Sequence, residues 1–182
     1  MAQILEIAQW GHSILSQTAN PIVEVSQKEI QTLIHSLIAT THQANGVGIA
    51  APQVFQSHRL FIMASRPTPR YPHAPVMEPT AVINPRILDC STESVKDWEG
   101  CLSVTGWRGL VPRYQAIAVE YTDQWGNLRQ QELTGFVARI FQHELDHLNG
   151  LVFLDRLDDP QDLYTEEVYQ KILKNSQVGE KS

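Results

Sequence analysis

The sequence predicts an α+β fold with mainly antiparallel sheets around a central metal-binding helix. Its apolar, strand-like segments are joined by hairpin turns and do not alternate with helices, which is typical of α+β proteins. One helix is predicted before these strands and two after them. The first of the later helices carries a His-Glu-x-x-His sequence, from His143 to His147. Residues four apart share a helix face, so both imidazoles can reach one metal ion.

Length and composition indicate one globular domain. The chain has 182 residues, of which 42% are hydrophobic and 19% charged, enough to bury a core without disulfide bonds. We expect a single catalytic domain over residues 1–182, with a C-terminal helix and tail from about residue 159. The net charge of -6 gives no basic surface for nucleic acid.

The N-terminus and the cysteines indicate the cellular compartment. The first residues lack the basic and long apolar regions of a secretory signal, and no segment has the run of about 18 apolar residues that spans a membrane. Without an export signal, Cys90 and Cys101 are better candidates for metal binding or catalysis than for a structural disulfide. We therefore expect a cytoplasmic protein with no membrane partner. Location in an organellar stroma or matrix is the alternative.

The N-terminal quarter is predicted to contain an arm and one helix. Short apolar pieces before residue 26 indicate an arm with at most one helical turn. Ser26 and Glu29 form a capping-box pattern, and apolar residues recur at helical spacing from Ile30 to Ile38. Asn45-Gly46 is the expected end of this helix.

Four apolar segments predict strands in the middle of the chain. They are residues 59–64, 81–88 with an interruption at Pro85, 116–121 and 128–133. The last two are joined by a hairpin turn at 123–127. Residues 65–80 hold five prolines and are predicted to form a long surface loop.

Two helices are predicted after the strands. The metal-binding helix should run from Gly135 to Asn149, with Gly150 as the residue that ends it. A last helix is expected from Gln161 to Lys174, followed by a frayed polar tail.

The third metal ligand separates several kinds of zinc hydrolase. One protease class has a further histidine six residues after the second one, where this chain has Phe153. Another class takes a glutamate from a following helix, so Glu166 or Glu167 would make the protein a zinc endopeptidase. Cys101 is the preferred third ligand, because its apolar neighbours could hold a thiolate beside the helix, whereas both glutamates have polar neighbours. Two imidazoles and one thiolate would leave a tetrahedral position open for water.

Three segments together resemble the motifs of peptide deformylases, in the same order along the chain. They are Gly46-Val47-Gly48-Ile49-Ala50-Ala51-Pro52-Gln53, Glu99-Gly100-Cys101-Leu102-Ser103 and Gln142-His143-Glu144-Leu145-Asp146-His147. The resemblance extends from the N-terminal arm to about Leu157. Thr105 and residues 137–140 depart from the compact bacterial pattern, which leaves the shape of the substrate pocket open.

The resemblance implies a function and a cofactor. The expected reaction removes the formyl group from the N-terminal formyl-methionine of nascent polypeptides at the ribosome. The resemblance also implies one divalent metal ion per chain, Fe²⁺ by preference, with Zn²⁺ or another divalent ion as alternatives.

The resemblance and the residue chemistry assign roles to the site residues. Glu144 is expected to be the general base, and the side-chain amide of Gln53 with the backbone N–H of Leu102 to stabilise the oxyanion. The expected metal ligands are Cys101, His143 and His147. The expected substrate-binding residues are Val47, Gly48, Glu99, Gly100, Phe136 and Ile140. Asp146 is expected to pair with Arg113 behind the metal ligands.

Overall fold

The computed structural model describes residues 2–179, and within that range the chain forms three helices and eight strands. The helices are α1 (Lys28–Gln43), α2 (Gly135–Leu148) and α3 (Glu166–Gly179). The strands are β1 (Gly48–Ala50), β2 (Leu60–Met63), β3 (Thr80–Cys90), β4 (Ser94–Cys101), β5 (Val104–Tyr114), β6 (Ala116–Thr122), β7 (Leu128–Thr134) and β8 (Leu163–Thr165). The N-terminal arm contains one short 3₁₀ turn, Ser13–Ser16, as predicted.

A five-stranded antiparallel sheet lies between α1 and α2. Its strand order is β1-β2-β3-β6-β7, so β1 is an edge strand. Strand β2 is buried on both faces: Phe61 and Met63 pack in the cluster of α2, while Leu60 and Ile62 pack in the cluster of α1. This double burial explains why β2 reads as an unbroken apolar run.

A second sheet of three strands, in the order β4-β5-β8, was not predicted as such. Strands β4 and β5 form a long hairpin, and Cys101 closes it opposite Val104. Helix α2 contacts both sheets, since Phe141 packs in the core of the five-stranded sheet and Gln142 bonds to Tyr114 of β5. The predicted α+β architecture with antiparallel sheets around the motif-bearing helix is therefore confirmed.

The end of α2 agrees with the prediction. Gly150 has a left-handed backbone with φ 76°, the Gly150 N–H donates to the His147 carbonyl at 3.3 Å, and the Leu151 N–H donates to the Asp146 carbonyl at 2.9 Å. These two bonds define a Schellman motif, which ends the helix at Leu148.

Two predicted helix starts are wrong. The Ser26 hydroxyl bonds to Glu24 at 3.1 Å, and α1 begins at Lys28 after Gln27, whose side chain makes no capping bond. Helix α3 begins at Glu166 because the preceding residues pair with β5 as β8. The end of the predicted polar tail, residues 180–182, lies outside the described residues.

Residues 65–79 are irregular, as predicted for 65–80 except at Thr80, which begins strand β3, and β3 continues through Pro85. Asn84 adopts a left-handed backbone with φ 50°, and the register to β6 shifts between Ile83 and Arg86. The interruption predicted at Pro85 is thus a β-bulge inside one strand, which lets the proline avoid a ladder position.

Candidate active site

The three predicted metal ligands meet at one point. Cys101 comes from the turn end of β4, and His143 and His147 come from successive turns of α2. One ligand atom from each lies within 4.8 Å of the other two, and the Cys101 Sγ to His147 Nε2 distance is 3.2 Å. Ligands on a tetrahedral ion with bonds of about 2.0–2.3 Å lie roughly 3.5 Å apart. The residues therefore fit a divalent metal ion.

The charge state of these ligands also suits a metal. Burial opposes ionisation of the Cys101 thiol, but the facing imidazoles of His147 and His143 hold its pKa well below the usual value. A thiolate is the form of cysteine that binds metal. The His143 Nδ1 lies 2.8 Å from a Glu99 carboxylate oxygen, which leaves its Nε2 for the ion.

Glu144 lies beside the ligands with one oxygen unpaired. Glu144 is 4% exposed, and its Oε2 is buried without a hydrogen-bond partner among the described residues. Burial raises the pKa of Glu144 to about 7, because the carboxylate loses its hydration. A carboxyl with a pKa near neutrality is suited to accepting a proton and returning it.

Gly48 makes room for this carboxylate. A Cβ at position 48 would overlap the Glu144 carboxyl group, so the close approach of β1 to α2 requires a glycine. Gly48 also lies on the edge strand, where an extended peptide can pair with β1.

Gln53 is buried and held in one orientation. Its Oε1 accepts the Ala50 N–H at 2.8 Å, which assigns the amide and directs its Nε2 toward the metal ligands. The Nε2 donates to the Ser103 hydroxyl at 3.0 Å and lies 3.4 Å from the Cys101 Sγ. Ser103 was not predicted as a site residue, although it belongs to the same sequence block as Cys101.

A cavity opens next to Glu144. It is lined by the predicted residues Val47, Gly48, Gln53, Gly100, Leu102, Phe136 and Ile140, and also by Arg70 and Tyr71. Nothing in the sequence pointed to Arg70 or Tyr71, because they lie in the proline-rich loop far from every motif. The cavity brings all three sequence blocks to one place.

Glu99, predicted as a substrate-binding residue, also lines this cavity, and its carboxylate is bound by other side chains. Its side chain is 3% exposed, and the carboxylate binds His143, Arg113 and Arg139 at 2.8–3.0 Å. Despite burial, the charges of Arg113 and His143 lower the pKa of Glu99. The Glu99 carboxylate therefore supports a metal ligand.

Arg113 and Asp146 form the expected ion pair, with Nη1 and Oδ2 2.6 Å apart. Asp146 is also bound by Arg156, at 2.6 Å and 3.0 Å. Arg139 and Arg156 were not predicted to take part. Together the three arginines and two carboxylates form a network directly behind His143, which is buried except at Arg156.

The glutamates of the endopeptidase hypothesis lie away from the ligands. Glu166 binds Arg108 at 2.7 Å and Glu167 binds Lys171 at 2.7 Å, on the surface of α3. Within residues 2–179 the metal-binding group contains Cys101 in place of either glutamate, so the endopeptidase prediction is wrong.

Three protein ligands would leave one position of a tetrahedral ion for water, and the unpaired Glu144 carboxyl lies beside them. This combination is typical of hydrolytic metal sites, so the fold and the site define a metal-dependent hydrolase. The chain belongs to the polypeptide deformylase family, whose sequence model matches residues 4–162. The resemblance noted from the three motifs is thereby confirmed.

Similar proteins agree with this assignment. Peptide deformylase 2 of a Nostoc species is 61% identical over 171 residues, which cover 94% of this chain and 96% of the relative. Peptide deformylase 2 of Shewanella oneidensis is 48% identical and covers 86% of each chain. A class I type b peptide deformylase from Acinetobacter baumannii, solved with Met-Ala-Ser bound, matches with a TM-score of 0.84 and 44% sequence identity. The match covers 86% of this chain and 100% of that chain.

Within residues 2–179, none of the helices is long and apolar enough to span a membrane.

Proposed function

We propose that this protein hydrolyses the formyl group from the N-terminal formyl-methionine of nascent polypeptides, releasing formate and a free amine. The observation that carries the proposal is the buried, unpaired Oε2 of Glu144, in the lining of a cavity shared with Cys101 and His143, next to the Cys101, His143 and His147 group. The A. baumannii relative, solved with Met-Ala-Ser bound, supports the substrate class.

A divalent ion on Cys101, His143 and His147 would lower the pKa of water and polarise the formyl carbonyl. Glu144 accepts the proton from that water and returns it to the leaving amine as the formyl C–N bond breaks. The raised pKa of Glu144, about 7, fits both steps. General acid–base catalysis of this kind contributes about 10² to 10⁴ in rate.

Gln53 and Leu102 are the proposed donors to the oxyanion. Gln53 presents its Nε2 beside Cys101, and its orientation is fixed by Ala50 before any substrate arrives. Leu102 follows Cys101 in the turn between β4 and β5, and both residues line the cavity. Donors that need no reorganisation are the most effective for a developing negative charge.

The substrate backbone is proposed to pair with the edge strand β1 at Gly48. In that pose the methionine side chain enters the part of the cavity lined by Val47, Phe136 and Ile140. A shaped apolar pocket of this kind distinguishes side chains by the contact area they fill.

We propose Fe²⁺ as the native ion, with Zn²⁺ or another divalent ion able to occupy the site. The proposed setting is the cytoplasm, with nascent chains at the ribosome as substrates, and the chain acts as one catalytic domain. A mixed thiolate and imidazole ligand set is compatible with both iron and zinc.

The test is formate release from formyl-Met-Ala-Ser by protein purified without oxygen and analysed for metal. We expect turnover with Fe²⁺ and its loss in the Cys101→Ser variant together with bound metal. Absence of formate with every divalent ion tried would refute the proposal.

A further inference from the structure

Tyr71 forms a wall of the cavity next to the proposed methionine pocket. It lines the same cavity as Phe136, and the two rings pack with centroids 5.0 Å apart. The Tyr71 hydroxyl accepts the N–H of Gly100 at 3.1 Å. The proline-rich loop thus contributes a side chain directly to the substrate cavity.

Arg108 holds the Tyr71 hydroxyl from behind. Arg108 is 1% exposed, and its Nη1 donates to that hydroxyl at 3.2 Å, while the guanidinium lies 5.5 Å from the ring centroid. A buried guanidinium has five N–H donors that need partners, so this bond has a large cost if broken. Gly100 is required here, because a Cβ at that position would overlap the Arg108 side chain.

Helix α3 holds both Arg108 and the loop. Glu166, its first residue, binds the Arg108 Nε at 2.7 Å. Tyr169 is 3% exposed, its ring lies 4.8 Å from the Arg108 guanidinium, and its hydroxyl donates to the Arg70 carbonyl at 3.2 Å. Helix α3 begins after residue 162, where the match to the family's sequence model ends. The cavity wall is therefore tied to a helix outside the matched segment.

We propose that Tyr71 determines selectivity for the first side chain of the substrate, and that Arg108 and helix α3 position it. The inference rests on the proposed function for its substrate class. Residues 65–79 belong to neither sheet, so the contacts of this segment with α3 and Arg108, together with the backbone bonds between Tyr71 and Thr68, fix where Tyr71 lies. If those contacts are lost, Tyr71 can turn away from Phe136, and a methionine side chain loses part of its contact area.

The test compares four variants on two substrates, formyl-Met-Ala-Ser and formyl-Ala-Ala-Ser. Tyr71→Ala removes the wall, Tyr71→Phe removes the hydroxyl, and Glu166→Gln weakens the link to α3. Glu167→Gln is the matched control, because Glu167 is the next residue on α3 and pairs only with the exposed Lys171 in the described contacts.

We expect Tyr71→Ala to raise KM for the methionyl substrate about tenfold and to lower the Met-to-Ala ratio of kcat/KM by a similar factor. The kcat and the metal content should stay near wild type. Tyr71→Phe and Glu166→Gln should shift the ratio in the same direction by about threefold each, the scale of one hydrogen bond, and Glu167→Gln should not shift it.

Binding of the product peptides Met-Ala-Ser and Ala-Ala-Ser to the metal-loaded protein separates this inference from the proposed function. If the wild-type protein binds Met-Ala-Ser more tightly than Ala-Ala-Ser but releases no formate, the proposed function is refuted. The ratio of the two peptide affinities can still be compared between the wild type and the variants. An unchanged Met-to-Ala ratio in Tyr71→Ala overturns the inference. If that variant does not fold, equal ratios for Glu166→Gln and Glu167→Gln overturn the link to α3, and a wild-type ratio in Tyr71→Phe overturns the role of Tyr71.

Discussion

Two stripes of helix α2 carry polar residues, and they differ in whether the buried polar atoms have hydrogen-bond partners. The cavity stripe consists of His143, Glu144 and His147, and the hairpin stripe consists of Arg139, Gln142 and Asp146, which face strands β4 and β5 or the segment after α2. In the described part of the chain, the buried side-chain nitrogen and oxygen atoms without a hydrogen-bond partner are Glu144 Oε2 and His147 Nδ1. Both belong to the cavity stripe.

Every residue of the hairpin stripe is bonded. The Gln142 amide donates to the Tyr114 carbonyl and accepts the Tyr114 N–H, each at 3.0 Å. Arg139 donates to the Val95 carbonyl at 2.6 Å and to the Val111 carbonyl at 2.7 Å, in addition to Glu99. The hairpin stripe therefore fixes the rotation of α2 about its axis, and with it the direction of the cavity stripe.

The contrast shows how one helix divides stability and chemistry between its sides. An unpaired buried polar group costs about 1–3 kcal/mol, so a stable fold keeps such groups where a ligand or a reaction uses them. The hairpin stripe supplies the rigidity that lets Glu144 Oε2 remain unpaired in one geometry.

Glu144→Gln gives the largest expected effect and tests the cavity stripe. The amide keeps the shape but cannot accept the proton, so we expect kcat to fall by about 10² to 10⁴. Because a buried carboxylate is replaced by a neutral group, the unfolding temperature should not fall. Formate release and thermal unfolding are measured on the metal-loaded variant. Activity above one tenth of wild type would exclude Glu144 as the general base.

Arg113→Ala tests the support behind the ligands. Its removal leaves Glu99 and Asp146 buried with fewer partners, so we expect a loss of about 3 kcal/mol in the free energy of unfolding. Metal affinity should fall about 10–100-fold, because His143 loses its orientation. Urea denaturation with and without metal provides the measurement.

Two comparisons interpret the result of Arg113→Ala. Arg113→Lys should lose less, since it keeps the charge but not the forked contact with Glu99. A stability loss that vanishes once metal is removed would show that the network acts only through the ion. Unchanged metal content and activity would remove the proposed role of Arg113.

Four strands of the first sheet were predictable from sequence, whereas β1 and the second sheet were not. Residues Leu60–Met63 form a continuous apolar run because they are buried on both faces, and such a run is visible without any structure. Strands β4 and β5 bury charged residues instead, including Glu99, Arg108 and Arg113. Buried charges break the apolar alternation by which strands are recognised, so the hairpin was hidden by the network it carries.

The site divides in the same way. His143, Glu144 and His147 were found because their contacts are local and follow helix geometry. The pairing of Tyr71 with Arg108 joins residues 37 positions apart in an irregular loop and a strand, and no local spacing encodes it. Arg139 had a weak signal, since it stands one helical turn before His143.

Gly48→Ala tests whether strand β1 must leave room for the Glu144 carboxyl group. The added Cβ would overlap the Glu144 carboxyl, and a displacement of about 1 Å can reduce a rate by about 10²-fold. We expect kcat to fall by up to that factor with metal content unchanged. In a Glu144→Ala background the same substitution should have no further effect, because the overlap is gone. Equal effects in both backgrounds would mean that Gly48 acts on the peptide and not on Glu144.

Arg156→Ala gives the smallest expected effect and tests the solvent side of the network. Arg156 makes a forked contact with Asp146, but its side chain is 45% exposed, and exposed ion pairs contribute at most about 1 kcal/mol. Because Arg113 still binds Asp146, we expect a stability loss of about that size in urea denaturation and activity close to wild type. Arg86→Ala, which removes a surface pair with Glu120 on the five-stranded sheet, is the control and should lose no more. A loss as large as that of Arg113→Ala would mean that the exposed contact of Arg156 stabilises the fold as much as the buried contacts of Arg113. The hairpin stripe would then depend on an exposed charge for its support of the cavity stripe.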